Sequence, residues 1–456
     1  MLEAIDPSNG QVVRRVPALD SWGMNERIER ARSAWHDWRM RPFNERGTIL
    51  RNVASHLRAN ATSLGRLMTE EMGKPAAEAE GEVLKAAWCA EHYAEFGARY
   101  LAREQIESDA ARSYVQYLPL GVVLGILPWN APFWLAFRFC APALMAGNTC
   151  VMKHDPHVPG CAEAIETCFS AAGAPPDILA NLPLATADVM GAIRHSAVQA
   201  VSFTGSSRAG AAVAAAAAAE IKPAVLELGG SDPNIVLADA DLEAAAETLV
   251  RSRIINAGQS CIAAKRIIAE APIHDPLLAQ LERRLAKLKV GDPRDPDSDL
   301  GPIARDDLRR TLHEQVRRTV DAGARCHLGG EMPHGEGFYY PVTLLSEVTP
   351  DMTAACEETF GPVAVVMRAG DADHAIELAN STPYGLGAAV WTGAQRGEHM
   401  AERIEAGQVA VNGIVKTDPR LPSGGIKRSG YGRELGPHGI REFVNAQQVW
   451  VGPAQS

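Results

Sequence analysis

Cys261 stands in NAGQSCI (256–262), where small and polar residues precede the thiol. Such a run forms a loop that can expose sulfur, and its backbone N–H groups can stabilise a thiolate or an adjacent oxyanion. Most cysteines are simply small buried hydrophobes, so taken alone Cys261 is only a candidate nucleophile. Glu227, in LELGG (226–230), ends an otherwise apolar run. Its leucine neighbours should desolvate the carboxyl group, raising its pKa toward that of a general base; capping the next element is the plainer alternative. Asn130, in PWN (128–130), precedes a helical pattern. Its amide suits either a helix N-cap or donation to an oxyanion. The turn FTGSSRAG (203–210) lacks the G-x-G-x-x-G spacing, yet it opens a helix whose N–H groups can receive a phosphate. Lys153, ending NTCVMK (148–153), adds a charge for a cofactor's ribose or phosphate.

These residues need a scaffold that gathers them. Residues 21–103 read mostly as helix. After them GVVLGIL (121–127), NTCVMK, DILANL (177–182), AVQAVSF (197–203) and PAVLELGG (223–230) read as strands, separated by helices at 131–146, 159–172, 186–194 and 211–219. Strands alternating with helices at this pace specify βαβ units and a parallel sheet. The rhythm restarts with NIVLA (234–238), KRIIAEA (265–271), VAVVMRA (363–369), AVWT (389–392) and GQVAVNG (407–413), which predicts a second α/β domain. Parallel sheets place ligand sites at the carboxyl ends of their strands, which is where Asn130, Lys153, Gly205 and Glu227 fall. SYVQYLP (113–119) and EFVNAQQVWV (442–451) alternate outside both units, and are expected to pair elsewhere, as on another subunit.

Composition sets outer bounds. A chain of 456 residues exceeds one ordinary domain. Its net charge of −10, from 45 Lys+Arg against 55 Asp+Glu, argues against nucleic-acid or anionic-membrane partners. The eight cysteines include no CxxC pair, so neither a disulfide framework nor a zinc site is read, and no metal is expected. No signal peptide is read at the start, and a cytoplasmic protein is expected. Ser113 to Phe137 carries no charge, but Pro119, Pro128 and Pro132 break any single helix there, so it reads as strand, turn and helix start rather than a membrane span.

In order along the chain, PWN, AGN (146–148), FTGS, LELGG, GQSC (258–261), GDP and LGPI (291–303), EETFGP (357–362), NSTPYGL (380–386) and SGGIKRSGYGRE (423–434) resemble the aldehyde dehydrogenase superfamily over nearly the whole length. The resemblance implies a Rossmann-type NAD(P)-binding domain (1–105 and 120–229), an α/β catalytic domain (230–427) and a β-strand oligomerisation arm (106–119 and 438–456), with homodimers or homotetramers. It implies that Cys261 attacks an aldehyde as thiolate, and that Asn130 and the Cys261 N–H hold the oxyanion. Glu227 would activate the water that hydrolyses the thioester. Glu358 and Phe360 would hold the nicotinamide end of the cofactor, with Gly205, Ser206 and Gly210 at its pyrophosphate and Trp129 and Lys153 along the rest of its cleft.

Two departures qualify this. NAD-preferring members carry a glutamate where this chain has Pro156; without that carboxylate a 2′-phosphate is admissible, so the cofactor is NAD or NADP. Phe139 replaces a lysine that many members pair with the glutamate matching Glu434, which leaves a proton-relay role for Glu434 open.

The expected substrate follows from Arg138. It lies among Phe133, Trp134, Leu135, Phe137 and Phe139, eight residues or about 12 Å of helix beyond Asn130. A long side chain leaning back toward the helix start brings a guanidinium near the oxyanion site, suited to a short aldehyde with a distal carboxylate. Succinate-semialdehyde dehydrogenases resemble the chain here, a compact bacterial branch above all, through KHDPHV (153–158) and the ending at 442–450. In them the residue matching Thr417 contacts the substrate carboxylate. Ile255 replaces another arginine used by some relatives, for which Arg253 is the nearest substitute. Oxidation of succinate semialdehyde to succinate is thus the expected reaction. Glutarate semialdehyde or a broad aldehyde range, transfer of the acyl group to CoA, and a non-catalytic binding protein are the alternatives.

Overall fold

The computed structural model describes residues 1–452. A hairpin of β1 (Leu2–Asp6) and β2 (Gln11–Val16) opens the chain; no strand was expected there. Four helices follow: α1 (Ser21–Trp38), α2 (Phe43–Ala59), α3 (Ala61–Met72) and α4 (Ala76–Tyr100). Asp20 caps α1 by accepting from the Gly23 N–H at 2.8 Å, and α3 stops at Gly73, whose φ of 77° suits glycine. Short β3 (Glu104–Gln105) and long β4 (Arg112–Pro119) come next.

The first alternating unit is β5 (Val122–Leu127), α5 (Pro132–Ala146), β6 (Thr149–His154), α6 (Pro159–Ala171), β7 (Leu179–Asn181), α7 (Val189–Arg194), β8 (Val198–Thr204), α8 (Ser207–Ala219) and β9 (Ala224–Glu227). All five strands run parallel. The chain moves outward from β5 through β6 to β7, then returns to lay β8 and β9 on β5's other side. This reversal leaves a crevice at the carboxyl ends of β5 and β8, the usual ligand position in open α/β sheets.

The second sheet holds β10 (Pro233–Val236), then, after α9 (Leu242–Ile254), β11 (Arg266–Glu270), β12 (Arg325–Leu328), β13 (Thr343–Ser346), β14 (Val363–Ala369), β15 (Gly387–Trp391) and β16 (Gln408–Val411). Its order is β12-β13-β14-β11-β10-β15-β16, parallel except at the β12 edge. Buried Val, Ile, Leu and Ala on both faces explain why these strands read as continuous apolar runs. β17 (Gly430–Tyr431) returns to the first sheet and pairs antiparallel with β9, setting Gly430 opposite Glu227.

β18 (Val444–Val451) corrects the expectation that the outlying strands lack a sheet of their own. It pairs antiparallel with β4 from Val444–Pro119 to Val451–Arg112, and β3 covers β4's other edge. Residues 453–456 of the expected arm lie outside the described residues. The uncharged stretch 113–137 becomes β4, β5 and the start of α5, and among the described residues no helix is long and apolar enough to cross a membrane.

Candidate active site

Two strand ends and a loop supply the central residues. Asn130 follows β5, Glu227 closes β9, and Cys261 lies in the loop between α9 and β11. That loop is tightly held. Asn256, Ala257 and Gly258 all have left-handed backbone angles (φ 54°, 53° and 75°), a costly run for two non-glycine residues. A side chain at Gly258 would strike the Gly361 carbonyl at 2.3 Å. Arg253 donates to the carbonyls of Gly258 (2.6 Å) and Ala264 (3.3 Å). Lys265, fully buried, donates to the carbonyls of Ser260 (3.0 Å) and Cys261 (2.5 Å). Arg253 is therefore committed to the loop's backbone, not poised as a substitute substrate arginine.

Asn130 is not the cap of α5. Ala131 occupies that position, and Glu82 of α4 caps the helix remotely, accepting from the N–H groups of Phe133 (2.9 Å) and Trp134 (3.1 Å). The Asn130 amide instead donates to the Gln259 carbonyl at 3.1 Å, two residues before Cys261. The Asn130 backbone carbonyl accepts from Lys74 and Asn256, both at 2.9 Å. One hydrogen of that side-chain amide remains beside the Cys261 loop.

Burial pushes the Cys261 thiol up to about 12, although Lys265 and Arg138 pull the other way. At rest it is a thiol, and its activation requires a base. Burial likewise raises the Glu227 carboxyl well above the usual range, against the Arg138 charge and with help from Glu434. Glu227 is 3% exposed, and its Oε1 has no partner among the described residues.

The other Glu227 oxygen corrects the picture of Arg138. Arg138 is 3% exposed, its Nη2 lies 3.1 Å from Glu227 Oε2, and the guanidinium also grips Glu434. Two internal carboxylates engage Nε and Nη2 of the guanidinium that was expected to meet a substrate carboxylate, and Nη1 has no hydrogen-bond partner among the described residues. Burial disfavours the Arg138 charge, but Glu434 and Glu227 outweigh it and raise its pKa. Phe139 packs its ring against Gly125 of β5, where a Cβ would fall 2.4 Å from it. The cation facing Glu434 is thus Arg138, and the other Glu434 oxygen accepts from Ser202 Oγ at 3.3 Å. Thr417 accepts from Lys85 at 2.8 Å.

On the cofactor side, Ser206 caps α8 through Ala209 N–H at 3.4 Å. The N–H groups of Ser207 and Arg208 find no acceptor among the described residues. Gly205 donates to the Glu227 carbonyl at 3.0 Å. Gly210 is buried, and a Cβ there would lie 2.4 Å from Leu228, so it allows α8 to pack on LELGG. Lys153 is buried without a carboxylate within 4 Å among the described residues, and burial lowers its pKa. Glu358 accepts from Gly230 N–H (3.2 Å) and pairs with Lys265 (3.3 Å), over Gly229, where any Cβ would collide with it. Phe360 meets Trp129 edge-on at 5.8 Å between ring centres. An open helix start and an unanswered buried lysine fit a phosphate-bearing dinucleotide. Lys265, Asn256 and Gln259 were not anticipated; a lysine opening the apolar strand KRIIAEA was the available signal.

Residues 1–449 match the aldehyde dehydrogenase family. The chain is 44% identical over 451 residues to a probable succinate-semialdehyde dehydrogenase [NADP(+)] of Synechocystis, covering 99% of each. It is 44% identical to a succinate semialdehyde dehydrogenase [NAD(P)+] of Escherichia coli, covering 98% of this chain and 97% of that one. Among solved structures, succinic semialdehyde dehydrogenase from Streptococcus pyogenes in complex with NADP+ superposes with a TM-score of 0.97 at 33% identity, over 99% of this chain and all of that one. Matched by that family's model and by these relatives along nearly its whole length, the chain belongs to the aldehyde dehydrogenase family.

Proposed function

We propose that this chain oxidises succinate semialdehyde to succinate with NADP+ or NAD+ as oxidant. The observation that carries the chemistry is the convergence of Cys261, Glu227 and Asn130 from two strand ends and the α9–β11 loop, with Cys261 and Glu227 close enough for their charges to interact. The substrate reading rests on the two relatives and on the cationic character of the α4–α5 seam beside the site.

Glu227 takes the thiol proton, directly or through a water, and Cys261 sulfur adds to the aldehyde carbon. The resulting oxyanion receives the free Asn130 amide hydrogen and the Cys261 backbone N–H. The dinucleotide, when bound, supplies the acceptor for the aldehyde hydrogen; Lys153 and the first turn of α8 hold its phosphates, Glu358 and Phe360 its nicotinamide end. Glu227, having released the thiol proton to solvent, then removes a proton from the water that attacks the thioester; the acid leaves, and that second proton returns to the sulfur as the thiol. Its unpartnered Oε1 is the oxygen for that water. Water as acyl acceptor, not CoA, follows from this buried base.

The remaining assignments follow the same reading. Residues 1–105 and 120–229 bind the dinucleotide, and residues 230–427 carry the nucleophile. β4 and β18 join subunits into a homodimer or homotetramer. Eight free cysteines suit the reducing cytoplasm. Values of kcat/KM for four- and five-carbon semialdehydes and uncharged aldehydes, with NAD+ and NADP+ in parallel, test the proposal. A clear preference for succinate semialdehyde is expected; equal or better turnover of uncharged aldehydes would overturn it.

A further inference from the structure

Gly73, Lys74 and Pro75 form the turn between α3 and α4. Two motifs that the chemistry above does not use brace this turn. The Ala76 N–H donates to the Pro293 carbonyl of the GDP loop at 2.9 Å. A Cβ on Gly301 of LGPI would strike the Gly73 carbonyl, and one on Gly73 would strike Pro302. The turn therefore has a fixed seat, and Lys74 leaves it buried, at 5% exposure.

Lys74 and the first turns of α4 reach both Asn130 and the Cys261 loop. The Lys74 ammonium pairs with Glu82 and donates to the Asn130 backbone carbonyl at 2.9 Å. Glu78, one turn before Glu82, accepts from the Asn256 N–H at 2.7 Å, at the left-handed start of the Cys261 loop. The Asn256 side-chain amide closes the ring. It donates to the Asn130 carbonyl at 2.9 Å and to the Gln259 carbonyl at 3.2 Å, the acceptor that the Asn130 amide also uses.

In a regular helix start the Trp134 N–H would reach back four residues to the Asn130 carbonyl. Glu82 takes that N–H instead, which leaves the carbonyl to Lys74 and Asn256. These two donors occupy both of its lone pairs. Fixing that peptide plane restricts how the Asn130 Cα–Cβ bond, and hence the side-chain amide, can point.

We propose that Lys74 is a positioning residue of the oxyanion site: it holds the Asn130 carbonyl so that the Asn130 amide faces the oxygen of an aldehyde bound at Cys261. This rests on the oxyanion role given to Asn130 above. A lysine that only joined α4 to α5 through Glu82 would act on stability and not through Asn130.

The test is a double-mutant cycle of Lys74→Met and Asn130→Ala, with kcat, KM and a thermal melt for each protein. Succinate semialdehyde and an uncharged four-carbon aldehyde both serve, because the oxyanion is common to them. Lys74→Met alone should lower kcat about 10- to 100-fold with either aldehyde, the loss of one charged hydrogen bond, with little change in KM. In the Asn130→Ala background the same substitution should cost about twofold or less. Lys74→Met combined with Glu82→Gln removes the carboxylate left unpaired and keeps an acceptor for α5, so it should recover the melting temperature but not kcat. An undiminished Lys74→Met loss in the Asn130→Ala background, or a kcat restored together with stability by Glu82→Gln, would overturn the positioning role alone. An Asn130→Ala protein with the kcat of wild type would overturn the oxyanion reading and the positioning role together.

Discussion

Nη2 of Arg138 lies 3.1 Å from Oε2 of Glu227, and the same guanidinium holds Glu434, so one buried cation joins two buried carboxylates. The proposed base is thereby fixed on one oxygen and left open on the other. A carboxylate this deeply buried would otherwise resist ionisation altogether.

Replacing Arg138 by Gln removes the charge that opposes protonation of Glu227. The Glu227 pKa should rise further, so the acid limb of the kcat profile should move to higher pH. Two buried carboxylates would also lose their counter-charge, at a cost of about 3–5 kcal/mol typical of a broken buried pair. A pH–rate profile and a thermal melt check both effects, which should appear with charged and uncharged aldehydes alike. A loss confined to KM for succinate semialdehyde would show instead that Arg138 holds the substrate carboxylate.

Lys265 ties the carbonyls of Ser260 and Cys261 to Glu358. Lys265→Met should lower kcat at least tenfold with every aldehyde and weaken dinucleotide binding, because the loop and Glu358 lose a shared anchor. Fluorescence titration of the dinucleotide, run beside the kinetics, reads the two losses separately. Unchanged cofactor affinity would detach Glu358 from the cofactor assignment.

Pro156 leaves no carboxylate three residues beyond Lys153, and Asp155 is engaged by His157 at 2.6 Å. Pro156→Glu should therefore disfavour a 2′-phosphate. The expected result is a rise of about tenfold or more in KM for NADP+ relative to NAD+. An unaltered ratio would place the 2′-phosphate away from this turn.

The alternating strands and helices were legible because each buries both sheet faces and so leaves uninterrupted apolar runs between turns. Motif spacing likewise singled out Asn130, Glu227 and Cys261. What spacing did not reveal is which charges meet. Glu227 and Glu434 reach Arg138 from 89 and 296 positions away, and Thr417 reaches Lys85 from 332. A lone helix arginine therefore read as a free fork, and Lys85 read as nothing in particular. β4 and β18 were each recognisable as strands, but their pairing with each other spans most of the chain. The β1–β2 hairpin is short and half polar, and carries little pattern to read.

The central claim is a thioester on Cys261 that Glu227 resolves with water. In Glu227→Gln the base is lost, and turnover should fall about 10²- to 10⁴-fold. The raised native pKa of Glu227 means that its stabilising contribution is present below the unfolded pKa and lost as pH rises through the folded one. The neutral amide should therefore raise Tm by a few degrees at neutral pH, on the order expected for ~1 kcal/mol. The decisive measurement is peptide mass spectrometry of this variant after mixing with succinate semialdehyde and dinucleotide. The expected result is a succinyl group that accumulates on the peptide containing Cys261 with one equivalent of reduced cofactor, formed more slowly than in the wild type because Glu227 also takes the thiol proton, and not turned over. Cofactor reduction at an undiminished steady rate, or a succinyl group on any other cysteine, would contradict it.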